Sequence, residues 1–337
     1  MADRGQNGER LRGEEAIIHV LAPLAQGAPG AFDLGDDCAL LSPSPGTELV
    51  LKTDPVAEGV HFLAEDAPED IAWKALAVNV SDIAAKAARP LGYLMALSFP
   101  EAPAAAWMER FAAGLQAAQE SFGCRLLGGD TDRRPGPLTI TITLIGEVPA
   151  GGMVRRGAAR AGEAIFVSGT LGDAALGLML RKSPDLAAQW GLSADEAAYL
   201  IGRYVRPQPR LGLATALRQH ASAAMDVSDG LAKDLARMCA ASGCGAHVRL
   251  ADVPRSAAVA KAVACDATLA TKIAAGGDDY EVLAAVPESA AAAFRSEALG
   301  GGVPVTRIGT MSACSDVVVE DTHGLPLALE RTGWDHF

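Results

Sequence analysis

The chain has 337 residues, half of them hydrophobic, and its 41 acidic against 29 basic side chains leave a formal net charge of −12. That length and apolar content suffice for a sizeable core divided between two domains. The acidic balance argues against non-specific binding to nucleic acid or to an anionic membrane, and it requires bound cations wherever a phosphate is held. The segment MADRGQNGERLRGEE has no apolar core, and no run approaches the roughly 18 apolar residues of a membrane span. Six cysteines form no C-x-x-C pair. Together these features predict a cytoplasmic protein with reduced thiols and no membrane segment.

After a polar arm, Glu14 to Gln26 predicts a short amphipathic helix with acid in its first turn. Gly35-Asp36-Asp37 precedes the apolar run Cys38 to Leu41, and Pro43 to Gly46 turns the chain toward a strand over Glu48 to Asp54. A hairpin of these two runs would bring Asp37 and Asp54 to one rim. Alternation along the second strand puts Val50, Lys52 and Asp54 on one face and Thr53 on the other. Glu58 to Phe62 is a polar turn carrying His61, and Asp66, Pro68, Glu69 and Asp70 open a helix that contains Asn79 and Asp82. A strand over Gly92 to Phe99, a helix over Pro103 to Phe122 and a short strand over Cys124 to Leu127 follow, the last delivering Gly128-Gly129-Asp130. Leu138 to Ile145 alternates Thr with Leu and Ile, as an antiparallel strand does.

The domain boundary is expected near residue 150, giving domains of 1–150 and 151–337. Beyond it stand Arg155-Arg156-Gly157, a strand over Ala164 to Ser168 and helices over Ala174 to Arg181, Ala194 to Tyr204 and Arg210 to Leu217. The strand Ala223 to Val227 then runs into Ser228-Asp229-Gly230 and a helix over Leu231 to Ala241. Strands at Ala246 to Leu250, Glu281 to Val286, near Thr306 and near Val317 complete a mixed α/β chain, with a helix ending about Leu299. The aromatic-rich tail from Gly333 to Phe337 is expected to dock.

Ser81-Asp82 and Ser228-Asp229 are each followed by Gly-Gly-Asp, at Gly128 to Asp130 and Gly276 to Asp278. The separations, Asp82 to Asp130 and Asp229 to Asp278, are 48 and 49 residues. This predicts two similar halves, each lending acidic loops to one site. Asp37, Asp54, Asp82, Asp130, Asp226 and Asp229, with Thr53 and Ser228, form the candidate constellation. Carboxylates gathered this closely raise one another's pKa unless a divalent ion neutralises them, and magnesium takes such oxygen ligands together with water and phosphate. The alternative is that these Asp residues cap helices and form turns. The chain has no G-x-x-x-x-G-K-S/T loop, G-x-G-x-x-G fingerprint, G-x-S-x-G elbow or H-E-x-x-H pair.

GDDCALL (35–41), TDPVAEGVHF (53–62), KALAVNVSDIAA (74–85), LLGGDT (126–131), DVSDGLAKDL (226–235), GGDDYE (276–281) and GWDHF (333–337) closely resemble the thiamine-monophosphate kinase family, in order through nearly the whole chain. The resemblance implies the two-domain aminoimidazole ribonucleotide synthetase-like fold, α/β of a mixed kind, with N-terminal domains pairing in a homodimer into a β-barrel. It implies transfer of the ATP γ-phosphoryl group to thiamine monophosphate with several magnesium ions and no catalytic side chain. By position it puts metal ligands on Asp37, Thr53, Asp54, Asp82, Asp130, Asp226 and Asp229. ATP contacts fall on Gly129, Asp130, Arg155 and Ser228, and substrate contacts on His61, Asp278 and Trp334. Two positions depart from the family pattern: Asp278 stands where Glu is expected and Lys52 where a small hydroxyl residue is usual. Lys52 either stands in for a metal or bends out to solvent. Another ATP-dependent enzyme of the same fold and a non-catalytic cation module are the competing readings.

Overall fold

The structure, a computed structural model, describes residues 10–321, 324–327 and 333–334. The chain forms two compact units, one of residues up to Ile83 with Ala88–Gly151, the other of Ala84–Ala87 with Gly152 onward.

The first unit contains α1 (Glu14–Leu21), β1 (Thr47–Ala57), α2 (Pro68–Ala85, all but its last two residues), β2 (Arg89–Phe99), α3 (Ala105–Phe122), β3 (Arg125–Arg133) and β4 (Thr139–Pro149). Its sheet has the order β1-β4-β2-β3. Only β2 and β3 are parallel, and α3 joins them as the crossover such a pair needs. One face carries Val50, Val56, Tyr93, Met95, Leu97, Ile140, Ile142 and Leu144, all buried. The helices α2 and α3 cover this face: Tyr93 donates from its hydroxyl to Gln119 Oε1 at 3.0 Å. The opposite face leaves Leu49, Leu51 and Leu94 exposed.

Two expectations fail here for identifiable reasons. Cys38 to Leu41 forms no strand and no hairpin with β1; β1 pairs along its whole length with β4, from Thr47 opposite Pro149 to Ala57 opposite Thr139. The long Thr/Ile alternation of β4 offers a better ladder, while Ala39 and Leu41 pack beside Leu127 and Ile145. Gly128-Gly129-Asp130 does not follow its strand but lies inside β3. Glycine permits this, because a Cβ on Gly129 would overlap the Met95 carbonyl of the neighbouring strand.

The second unit contains β5 (Ala164–Ser168), α4 (Asp173–Lys182), α5 (Leu186–Gln189), α6 (Ala194–Val205), α7 (Ala214–His220), β6 (Ala223–Val227), α8 (Leu231–Ser242) and β7 (Gly245–Arg249). It continues with α9 (Ala257–Cys265), α10 (Leu269–Ala275), β8 (Glu281–Val286), α11 (Ala291–Gly300), β9 (Val305–Ser312) and β10 (Val317–Glu320). The sheet order is β10-β7-β9-β5-β8-β6. Every residue of β5, β6 and β8 is buried, as in a sheet covered on both faces. Alternate residues join different clusters: Ile165, Val167, Met225, Val227 and Leu283 pack with Leu231, Leu235 and Met238 of α8, whereas Phe166, Ala224, Val282 and Ala284 pack with Leu217 and Phe294 of α7 and α11.

The recurring tripeptides fall in unlike structures. Asp82 is in the last turn of α2, whereas Asp229 is in the turn between β6 and α8. The first Gly-Gly-Asp lies in β3 and the second in the loop between α10 and β8.

Gly114 marks the tightest approach of α3 to the start of α2, where an added Cβ would stand 2.5 Å from Glu69 Cα and still closer to its carbonyl oxygen. Alanine gains about 1 kcal/mol of helix propensity, but the obstructing atoms are backbone and overpacking costs about 1–3 kcal/mol. Gly114→Ala is therefore expected to lower the denaturant midpoint, and a raised midpoint would show that the two helices part freely.

Candidate functional site

In the first unit, strand alternation puts Lys52 and Asp54 on the face covered by α2, and the last turn of that helix supplies Asp82. Lys52 Nζ lies 2.9 Å from Asp54 Oδ2 and 2.7 Å from Asp82 Oδ2. A carboxylate at a helix C-terminus meets the negative end of the helix dipole, so Asp82 gains doubly from a nearby ammonium. Burial opposes the charge on Lys52, yet Asp82 and then Asp54 hold its pKa above the usual value. Burial raises the Asp54 carboxyl, with Lys52 acting against the rise. One turn before Asp82, Asn79 is wholly buried: its Nδ2 donates to Ala75 O at 3.0 Å, while Oδ1 has no hydrogen-bond partner among the described residues.

The other expected groups of this unit are placed differently. Thr53 is on the opposite face, where its hydroxyl accepts from Thr143 Oγ1 at 3.0 Å. Asp54 shares a cross-strand row with Ile142, Met95 and Gly129, whereas Asp130 shares the next row with Ala96, Thr141 and Pro55. The Asp130 side chain thus belongs to the face away from Asp54, three strand spacings or about 14 Å across the sheet. It is exposed and accepts from Thr131 N at 2.8 Å. Asp37 is on an exposed bend. His61 closes the turn after β1, its Nδ1 accepting from Ala57 N at 3.0 Å.

In the second unit Asp226 is buried in β6 and precedes the Ser228-Asp229-Gly230 turn. Asp234, which stood in the DVSDGLAKDL string without an assigned role, secures that turn by accepting from Ser228 N at 3.0 Å and Asp229 N at 2.9 Å. Arg237 Nη1 stands 2.6 Å from Asp229 Oδ2 and 2.8 Å from Asp234 Oδ1. Arg155 is exposed beside β6, its carbonyl accepting from Ala224 N at 3.2 Å. Trp334 donates its backbone N–H to Asp229 O at 3.0 Å, Lys233 donates to the Trp334 carbonyl, and the indole is half exposed. Gly333 and Trp334 therefore dock on this turn, while residues 335–337 of the tail motif lie outside the described residues.

The loop Gly276–Tyr280 closes against the same turn. Asp278 N donates to Ser228 O at 2.8 Å and Tyr280 N to Val227 O at 2.9 Å. Asp278 and Tyr280 have φ of 70° and 52°, left-handed values that cost energy for side-chain-bearing residues and persist where surrounding contacts over-determine them. Those contacts are visible. Between the two, Asp279 accepts from Gly172 N at 2.8 Å and Ala174 N at 3.2 Å. Next to them, Glu281 accepts from Arg203 at 2.8 Å, Arg210 at 2.7 Å and Ser168 at 2.6 Å. The Tyr280 hydroxyl donates to Asp278 Oδ1 at 3.2 Å, which orients that carboxylate. Asp279 and Glu281 stood in the quoted GGDDYE string, but Arg203 and Arg210 gave no local signal.

Among the described residues no three His, Cys, Asp or Glu side chains are grouped closely enough to hold a metal ion. Family models for AIR synthase related protein match residues 35–148 with the N-terminal domain and 160–322 with the C-terminal domain. The thiamine-monophosphate kinase of Caulobacter vibrioides is 41% identical over 323 residues, 95% of this chain and 89% of that protein. The chain belongs to the thiamine-monophosphate kinase family. The crystal structure of the Stenotrophomonas maltophilia kinase superposes with a TM-score of 0.80 at 36% identity, covering 95% of this chain and all of that one. A second family member, AaThiL complexed with AMPPCP and TMP, superposes with a TM-score of 0.76 at 30% identity, covering 98% of this chain and 100% of that one.

Burial pushes the Asp279 carboxyl up to about 8, against the pull of the Gly172 N–H and with Asp173 adding to the rise. Its folded value thus exceeds its unfolded one, so the folded chain holds a proton that the unfolded chain releases from about pH 4 upward. The stability from this group is complete below pH 4 and is lost as pH rises toward 8. Denaturation midpoints of the parent chain should fall between pH 5 and 8, and Asp279→Asn should flatten that slope; an unchanged slope would show that Asp279 titrates normally.

Proposed function

We propose that this chain transfers the γ-phosphoryl group of ATP to thiamine monophosphate, releasing ADP and thiamine diphosphate. The observation that carries the reading is the likeness along 98% of the chain to AaThiL complexed with AMPPCP and TMP, with 41% identity to a curated kinase of that activity in support. A phosphate oxygen of the acceptor forms the new bond to the γ-phosphorus as the bond to the β-phosphate oxygen breaks. That oxygen is largely ionised at neutral pH, since the second phosphate pKa is about 6. No general base is then needed, which suits a site made of carboxylates, cations and backbone N–H groups. What the chain must supply is placement of two polyanions in line.

In the first unit the assignment gives Gly129 and Asp130 to ATP and His61 to the acceptor; in the second it gives Arg155 and Ser228 to ATP and Asp278 and Trp334 to the acceptor. The half-exposed indole of Trp334 suits stacking on a cationic aromatic ring. Magnesium would neutralise charge on the phosphate oxygens. Asp37, Asp130 and Asp226 offer it carboxylate oxygens, with Thr53 and Asp229 as further candidates. The Asp54–Asp82 pair does not fit a divalent ion in its present arrangement, because Lys52 lies between the two carboxylates.

A homodimer is part of the proposal. The first unit's sheet is open, with β1 at its edge, and Leu51 on that edge is 68% exposed. An uncovered edge and an apolar face are what pairing with a second copy into a barrel would use. No helix among the described residues is long and apolar enough to cross a membrane, and the proposed location is the cytoplasm.

Incubation with ATP, magnesium and thiamine monophosphate should yield thiamine diphosphate and ADP on chromatography, whereas free thiamine, lacking the nucleophilic phosphate, should remain unchanged. Comparable phosphorylation of free thiamine would refute the assignment. Asp226→Asn should lower kcat by roughly 10², the scale of losing one preorganised electrostatic group. A folded variant with near-parent turnover would remove Asp226 from the site.

A further inference from the structure

We infer that Lys52 is a built-in cation that takes the place of a divalent ion between Asp54 and Asp82, so that the first unit binds one ion fewer than its carboxylates would otherwise accept. The ammonium contacts carboxylates from two different elements, at 2.9 Å on β1 and 2.7 Å on α2, and its side chain is only 27% exposed. That excludes the solvent-extended lysine of the alternative reading. These lengths are those of charge-assisted N–H···O bonds. Magnesium needs oxygens at about 2.0–2.1 Å, so ion and ammonium cannot share the gap.

The placement follows from local structure. Alternation along β1 carries Lys52 to the same face as Asp54, and the end of α2 hangs Asp82 over that face. Lysine acts as a compact charge with rotatable donors, which lets one ammonium serve two carboxylates that are not coplanar. It is also tethered, so it competes with dissolved ions at a high effective concentration. One positive charge against two negative leaves the pair with a residual charge of −1, so the pair stays anionic without an ion of its own.

The inference concerns the same acidic groups as the kinase reading and rests on it only for the class of ion displaced. The two fail separately, because the ion count needs neither ATP nor acceptor. Manganese serves as the probe: free Mn2+ is titrated by electron paramagnetic resonance against the nucleotide-free chain. Lys52→Ser is expected to bind one more Mn2+ per chain than the parent, and Lys52→Arg to keep the parent count. The added ion should vanish in Lys52→Ser combined with Asp82→Asn. Equal counts in the parent and a folded Lys52→Ser, or an added ion that survives loss of Asp82, would overturn the inference. Asp82→Asn alone gives an independent reading that does not require the lysine variants to fold. It should leave the parent count unchanged, and a count lower by one would show that an ion, not Lys52, holds the pair.

Discussion

Glu281, buried without exposure in β8, is held by the guanidinium groups of Arg203 and Arg210 and by the Ser168 hydroxyl, and the Gly276–Tyr280 loop with the Ser228-Asp229 turn it closes on depends on that arrangement. Removing one partner of such a buried pair typically costs about 3–5 kcal/mol, because the other charge is left uncompensated in a medium that solvates it poorly. Arg203 also donates to the Asp279 carbonyl at 3.2 Å. The same guanidinium therefore fixes both the strand and the backbone of the loop before it. With Asp279 pinned to two N–H groups, the left-handed residues on either side have no room to relax, and Asp278 is presented at a set place beside the Ser228-Asp229 turn.

The first unit solves the same problem by other means. On its sheet an exposed arginine, Arg89 of β2, joins Ser44 and Thr47 in holding the buried Glu147 of β4, and one lysine neutralises a strand carboxylate and a helix carboxylate together. The difference follows from depth. The strands of the second unit are enclosed on both faces, so a charge within them requires several donors, whereas Lys52 and Asp54 stand on a partly open strand where water still reaches them. The sheet's two faces then separate the candidate ligand groups: the Asp54 and Asp82 carboxylates on the helix-covered side, the Asp130 carboxylate and the Thr53 hydroxyl on the other. A one-residue step along a strand is enough to do this.

Much of this was legible in the chain. The runs Ala164 to Ser168, Ala223 to Val227 and Glu281 to Val286 are mostly apolar stretches bounded by turn residues, each with one polar side chain, and they form β5, β6 and β8 with those limits. The helix after Gly230 and the helix stopped by Gly123 follow from periodicity and from a glycine able to adopt φ of 71° at the helix end. Cys38 to Leu41 was misleading because an apolar run of four residues cannot indicate whether a partner strand is available. The paired tripeptides misled for a related reason: a three-residue string has no structure apart from the element that contains it.

By itself the sequence determined the kind of protein: a mixed α/β chain with acidic strand ends, belonging by its motifs to a kinase family, with the periodicities that build each element. Those features are local, or are carried by strings long enough to be specific. Only the tertiary structure decided which charges meet. Lys52 and Asp82 are distant in sequence, as are Glu281 and Arg203, and their contacts arise where a strand, a helix and a loop from separate parts of the chain converge. Coulomb attraction and desolvation depend on separation in space and on access to water, and neither quantity is written in the order of the residues.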